Sequence, residues 1–177
     1  MPARRSHLVS PALGDQLTAS LAALRESLSL PEAFPEDVLA EADAAAASVS
    51  VDPLAAGLDD LRALEFLTID PEGSMDLDQA MHLERAGDGA ILHYAIADVL
   101  AFVAPGGAVD AEARRRGQTL YLADDRIPLH PPVLSEDAAS LAPGVDRRAY
   151  VWRFVLDGGA RPVETSLRRA VIRSRQK

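Results

Sequence analysis

Residues 67–99 read "LTIDPEGSMDLDQAMHLERAGDGAILHYAIADV", and their texture decides the fold class. Apolar positions alternate instead of recurring every three or four residues. Gly87, Asp88 and Gly89 separate two such stretches, so the pattern predicts an antiparallel hairpin turning in "AGDG" (86–89). The same segment holds Asp70, Asp76 and Asp78 within nine positions, followed by Gln79. Asp70 is predicted to end a strand and "PEGS" (71–74) to turn the chain, bringing back Asp76 and Asp78, which project to one side of an extended segment. Carboxylates this close raise one another's pKa unless a cation compensates, and a bound divalent metal would do so. Magnesium, or manganese, suits an all-oxygen donor set, whereas the residue order of an EF-hand is not satisfied. Spacing alone leaves a solvated acidic turn equally open.

Outward from this segment, the N-terminal side is helical. Leu13, Leu17, Leu21, Leu24 and Leu28 recur at intervals of four and three and mark one helical face. Pro35 followed by Glu36 and Asp37 is first-turn chemistry for a second helix running into the alanines, and "VDPLAAGLDDLRAL" (51–64) is a connector with a short helix. On the C-terminal side, "PGGAVDAEARRRGQ" (105–118) predicts a Gly-rich loop, an Asp110 cap and a short helix stopped by Gly117. "TLYL" (119–122) resumes a strand, "RIPLHPPVLSEDAASLAPG" is a proline-punctuated excursion, and "AYVWRFVL" with "RPVETSLRRAVIRS" predicts a second hairpin. The expectation is an α+β chain, N-terminal helices followed by a mixed, largely antiparallel β-sheet with short helices. A helical lead-in covers residues 1–60 and a second region residues 61–177.

The 177 residues, 48% of them hydrophobic, suffice for a buried core. Zero cysteines exclude disulfides, thiolate zinc sites and cysteine nucleophiles. No long uncharged apolar run exists, and "MPARRSHLVS" lacks the apolar core of a secretory signal, so the expectation is a soluble, cytoplasmic chain without a membrane partner. The net charge of −9 argues against nucleic-acid binding by bulk attraction. Its distribution is uneven, however: residues 1–60 carry −7, residues 61–177 only −2, and residues 147–177 a local +7. A basic end following an acidic cluster is compatible with a phosphodiester held by cations and cut at an anionic metal site; arginines that merely solvate exposed strands are the alternative.

Several separated motifs carry a resemblance. "FLTIDPEGSMDLDQA" (66–80), "YAIADVLAFVAPGGAVDAEARRRGQTLYLADDRIPLHPPVLSEDAASL" (94–141) and "VWRFVLDGG" (151–159) resemble, in order and spacing, the catalytic RNB domain of the ribonuclease II family, over roughly residues 61–177, and "FPEDVLAEA" (34–42) looks like its helical lead-in. The resemblance implies a partial RNB-like fold and a 3′-to-5′ exoribonuclease that hydrolyses single-stranded RNA to nucleoside 5′-monophosphates by metal-assisted hydrolysis. Asp70, Asp76 and Asp78 match the first three aspartates of the family's acidic motif, and Gln79 stands where a fourth is usual. A glutamine carbonyl still ligates a metal or holds a water but brings no charge. Tyr121 matches a family tyrosine that packs against the terminal nucleotide, although a tyrosine closing the core is the other reading of the same residue.

A complete domain of this family extends further, so weak or absent activity is expected of this chain alone, with the missing remainder of the domain or self-association as partners. The alternative is a non-catalytic RNA- or metal-binding segment. Asp98 matches a family aspartate and either supports the metal site or caps the following turn. His82 and His93 flank the first hairpin and are expected to pack in core or rim. Arg114–Arg116 are expected to solvate their helix, Ser135 with Glu136 and Asp137 to start a helix, and Trp152 to be core.

Overall fold

The computed structural model describes residues 11–31 and 33–177, with side chains from residue 16 onward. Two compact units result, residues 1–33 and residues 34–177. The first contains helix α1 (Pro11–Ser27), where the leucine spacing predicts it. In the second, α2 (Glu36–Ser48) starts after Pro35, and α3 (Pro53–Ala56) is capped by Asp52, whose carboxylate accepts from the Leu54 N–H at 3.0 Å. Gly57 ends α3 at φ +65°, a left-handed conformation that costs a glycine little.

The strands are β1 (Asp59–Asp60), β2 (Phe66–Leu67), β3 (Gln79–Ala86), β4 (Gly89–Ala97), β5 (Leu120–Tyr121), β6 (Arg126–Ile127), β7 (Asp146–Leu156) and β8 (Pro162–Gln176). A 3₁₀ turn (Val99–Ala101), helix α4 (Ala108–Arg116) and a π-helical turn (Val133–Ala138) lie between them. β3 and β4 form the expected hairpin, paired from Gln79↔Ile96 to Ala86↔Gly89 around Gly87 and Asp88. Gly87 has φ +60°, and a Cβ at Gly89 would overlap the Leu156 carbonyl oxygen. β7 and β8 form the second hairpin.

The sheet is mixed, and its hydrogen bonding closes on itself in the order β8-β2-β3-β4-β7-β8. Closure works because the long β8 pairs antiparallel with β7 along most of its length and parallel with β1 and β2 on its other side. Small residues line the inside: Ala80, Ala95, Ala97, Ala149 and Ala170 surround Phe66, Val151, Leu141 and Ile172. A second core joins α2 to α4 and the π-helical turn through Val38, Ala42, Phe102, Val103, Val109 and Leu134. α2 thus packs in the unit that carries the sheet.

Four local expectations need correction. The strand predicted to end at Asp70 covers only Phe66–Leu67: Thr68 donates its N–H to the Gln176 carbonyl and the chain then leaves the sheet before Asp70. Asp110 lies three residues inside α4; Gly107 is the cap position, and Glu41 of α2 accepts from the free Ala108 and Val109 N–H groups at 2.6 and 3.3 Å. Trp152 is only half-buried, on the outer face of β7, stacked on Phe154 with ring centroids 5.9 Å apart. Residues 133–138 form a π-helical turn, not the start of a regular helix.

His82 and His93 face each other across the hairpin, ring centroids 6.0 Å apart, with the Phe66 ring against both. Burial, then the neighbouring His82, pushes the His93 pKa down, with Arg153 and Arg168 acting in the same direction and Glu84 against. The unfolded chain therefore takes up this proton first as pH falls below about 6.5, so stability drops from there through the lower folded-state value. Urea midpoints between pH 7.5 and 5 are expected to fall, and to fall less steeply in His93→Gln.

Candidate active site

Between β2 and β3 the chain is irregular, yet it is stitched in place at each step. Ser74 N–H donates to the Pro71 carbonyl across the "PEGS" turn, where Gly73 sits at φ +90°, and Lys177 Nζ donates to the Ser74 carbonyl at 2.8 Å. Ser140 Oγ donates to the Met75 carbonyl at 2.6 Å and accepts from the Leu77 N–H at 3.2 Å. Leu77 is buried, its carbonyl accepting from Leu141 N–H at 2.7 Å, and the Asp78 carbonyl accepts from Ala97 N–H at 2.9 Å. With Leu77 pinned inward, the alternation of extended backbone turns Asp76 and Asp78 outward.

Asp70, Asp76 and Asp78 then line one open cleft of about 470 Å³, together with Tyr121 and Arg126. Asp76, Asp78, Tyr121 and Arg126 also border an adjoining cavity of about 270 Å³ that runs on to His130 and Ser135. A third, of about 280 Å³, places Asp70 and Asp78 beside Gln79 and Tyr94. The Gln79 carbonyl oxygen accepts from the Tyr94 hydroxyl, so it already has a partner on the neighbouring strand.

Burial pushes the Asp78 pKa up, and the charges of Asp70 and Asp76 add to the rise. Asp78 therefore lies within electrostatic reach of both Asp70 and Asp76. The three do not form a three-ligand cage: among the described residues no three His, Cys, Asp or Glu side chains gather closely enough to hold a metal ion. Asp76 is instead paired with Arg126, whose Nη1 donates to Asp76 Oδ2 at 2.7 Å and whose Nη2 donates to Glu136. Asp70 and Asp78 have no protein cation against them among the described residues. Two free carboxylates in an open cleft fit a small hard cation, which keeps several waters and takes further oxygens from a phosphate.

Tyr121 is 74% exposed, so it does not close the core; it stands on the β5–β6 ribbon directly opposite Arg126. Asp98 is fully buried and does not cap the turn with its side chain. Its Oδ2 accepts from Arg169 at 3.0 and 2.7 Å, with Arg148 Nε at 3.4 Å, and it lines none of the three cavities. The basic C-terminal stretch is largely committed in the same way. Seven of its nine cations, from Arg147 to Lys177, hold carboxylates or carbonyls of this chain, which leaves little of the local +7 for phosphates. Arg116 is buried against Glu112, over the Phe34 ring, and not a solvating charge.

Sequence reasoning passed over Arg126 and Ser140. The short β5–β6 turn, closed by Leu122 N–H to the Asp125 carbonyl, is the signal that places Arg126 opposite Tyr121. No local signal marks Ser140, which meets Met75 and Leu77 across more than sixty residues.

Asp70, Asp76, Asp78 and Tyr121 thus line one cleft of a chain whose mixed sheet closes on itself. The RNB domain family profile matches residues 58–177, and the chain belongs to that family. It is 36% identical over 148 residues to Ribonuclease R of Acidithiobacillus ferrooxidans, covering 84% of this chain and 34% of that protein. To the Exosome complex exonuclease RRP44 of Mus musculus it is 37% identical over 118 residues, covering 66% and 12%. The structure of Mycoplasma genitalium RNase R in complex with ribose methylated single-stranded RNA superposes with a TM-score of 0.81 at 27% identity, over 90% of this chain and 25% of that one. The chain thus spans about a third or less of the length of these relatives.

Proposed function

We propose that this chain carries the acidic-cleft segment of a cytoplasmic ribonuclease II-type exoribonuclease, which hydrolyses single-stranded RNA from its 3′ end and releases nucleoside 5′-monophosphates. Residues 61–177 form the catalytic segment and residues 1–60 lead into it. One observation carries the reading: Asp70, Asp76, Asp78 and Tyr121 line a single open cleft in a chain of the RNB family. Asp70 and Asp78 hold a magnesium or manganese ion. Such an ion, when bound, stabilises charge developing on the scissile phosphate and makes a water acidic enough to attack. Asp76 balances Arg126 at the cleft wall, and Gln79, held by Tyr94, orients water at the far side without adding charge.

Tyr121 offers an exposed aromatic face to the terminal base, which stacks without its identity being read. Tyr121→Ala is expected to weaken binding of a single-stranded oligoribonucleotide by about five- to 150-fold, from ~1–3 kcal/mol per stacked base, and to leave the melting temperature unchanged. Fluorescence anisotropy with a 5′-labelled RNA measures the first and calorimetry the second.

The uncharged Gln79 supports a second reading, a non-catalytic RNA- or metal-binding segment. Incubation of excess protein with 5′-labelled single-stranded RNA and Mg²⁺ separates the two. Slow stepwise shortening from the 3′ end with monophosphate release, at the weak level expected of this segment alone, supports the first reading; Mg²⁺-dependent binding without release selects the second.

A further inference from the structure

Arg126 stands where two cavities meet. Its guanidinium spans two carboxylates, Asp76 at 2.7 Å and Glu136, and it is about one-third exposed. The first of these acids shares the cleft with Asp70 and Asp78; the second lies on the π-helical turn. A guanidinium does not lose its proton in proteins, so the side chain is a fixed cation facing the acids. A cation drawn to this cleft meets two free carboxylates and a third already neutralised. A planar fork bonded at both ends keeps its place when one partner leaves, because the other end remains tied.

We propose that Arg126 is a built-in rival of the divalent cation for Asp76. It holds Asp76 when no cation is bound and yields it on cation entry, remaining on Glu136. The cleft's affinity for the ion is thereby lowered, and Asp76 joins the ion only after a pair is broken. The inference rests on the reading of the cleft as a cation site.

The test is calorimetric titration of the full chain with MnCl₂ and with MgCl₂ at fixed ionic strength. Arg126→Ala is expected to bind either ion about two- to fivefold more tightly, the range set by the modest worth of a partly exposed pair. Arg126→Gln, which keeps length and polarity, is expected to do the same and guards against a folding defect in the alanine variant. In an Asp76→Asn background the substitution of Arg126 is expected to change affinity little. Equal affinity in wild type and both variants overturns the proposal and leaves the cleft a cation site. A gain of the same size in the Asp76→Asn background also overturns it, since the effect is then long-range charge. Absence of saturable binding in every variant overturns the cleft reading and the proposal together.

Discussion

Asp78→Asn is expected to lower Mg²⁺-dependent hydrolysis of single-stranded RNA by about a hundredfold or more. Asp78 is the carboxylate that senses both others, it borders all three cavities, and no protein cation neutralises it among the described residues. Asparagine keeps shape and one carbonyl oxygen but removes the charge that opposes a hard cation. Loss of a single electrostatic element at a reacting centre costs on the order of 10²–10³ in rate. The comparison is made under single-turnover conditions with protein in excess, so that a low rate is still measurable. Circular dichroism is expected to be unchanged, because the fold is tied at this position by the Asp78 backbone carbonyl, which accepts from Ala97 N–H and which asparagine keeps. Equal rates in the two proteins would remove Asp78 from the chemistry.

Phe66→Ala is expected to destabilise the chain by about 3–5 kcal/mol, the usual cost of emptying a fully buried phenylalanine site. Phe66 lies on the two-residue strand β2, where one ladder reaches β8 and one pair, Leu67↔Met81, reaches β3. Its ring packs against His82 and His93 on the opposite hairpin. The sheet closes through this short strand, so the cavity is left where closure has fewest hydrogen bonds. Urea unfolding measures the loss; a change under 1 kcal/mol would show that the ring is not what seals the sheet.

How much of this was legible in the sequence depends on distance along the chain. The β3–β4 hairpin was readable because its turn chemistry and alternation are local, and α1 and α2 because leucine spacing and Pro35 act within a few residues. The parallel pairing of β8 with β1 and β2 was not readable. It joins Asp59 to Ala170 and Phe66 to Ser174, and nothing near either partner announces it. The site follows the same rule. Asp70, Asp76 and Asp78 were singled out by residue type and spacing and Tyr121 by the family resemblance, and all four line one cleft. What escaped were the partners fixed by tertiary packing: Tyr94 on Gln79, two arginines on Asp98, and Arg126 on Asp76, the last of which turns a uniform acidic cluster into two free carboxylates and one paired.

The most direct test of that cleft is the melting temperature as a function of Mg²⁺, compared between the wild-type chain and Asp70→Asn/Asp78→Asn. An ion that binds only the folded state raises its stability with concentration. A saturable rise in the wild type that vanishes in the double variant is the predicted result. The same rise in both proteins, or none in the wild type, would contradict the account.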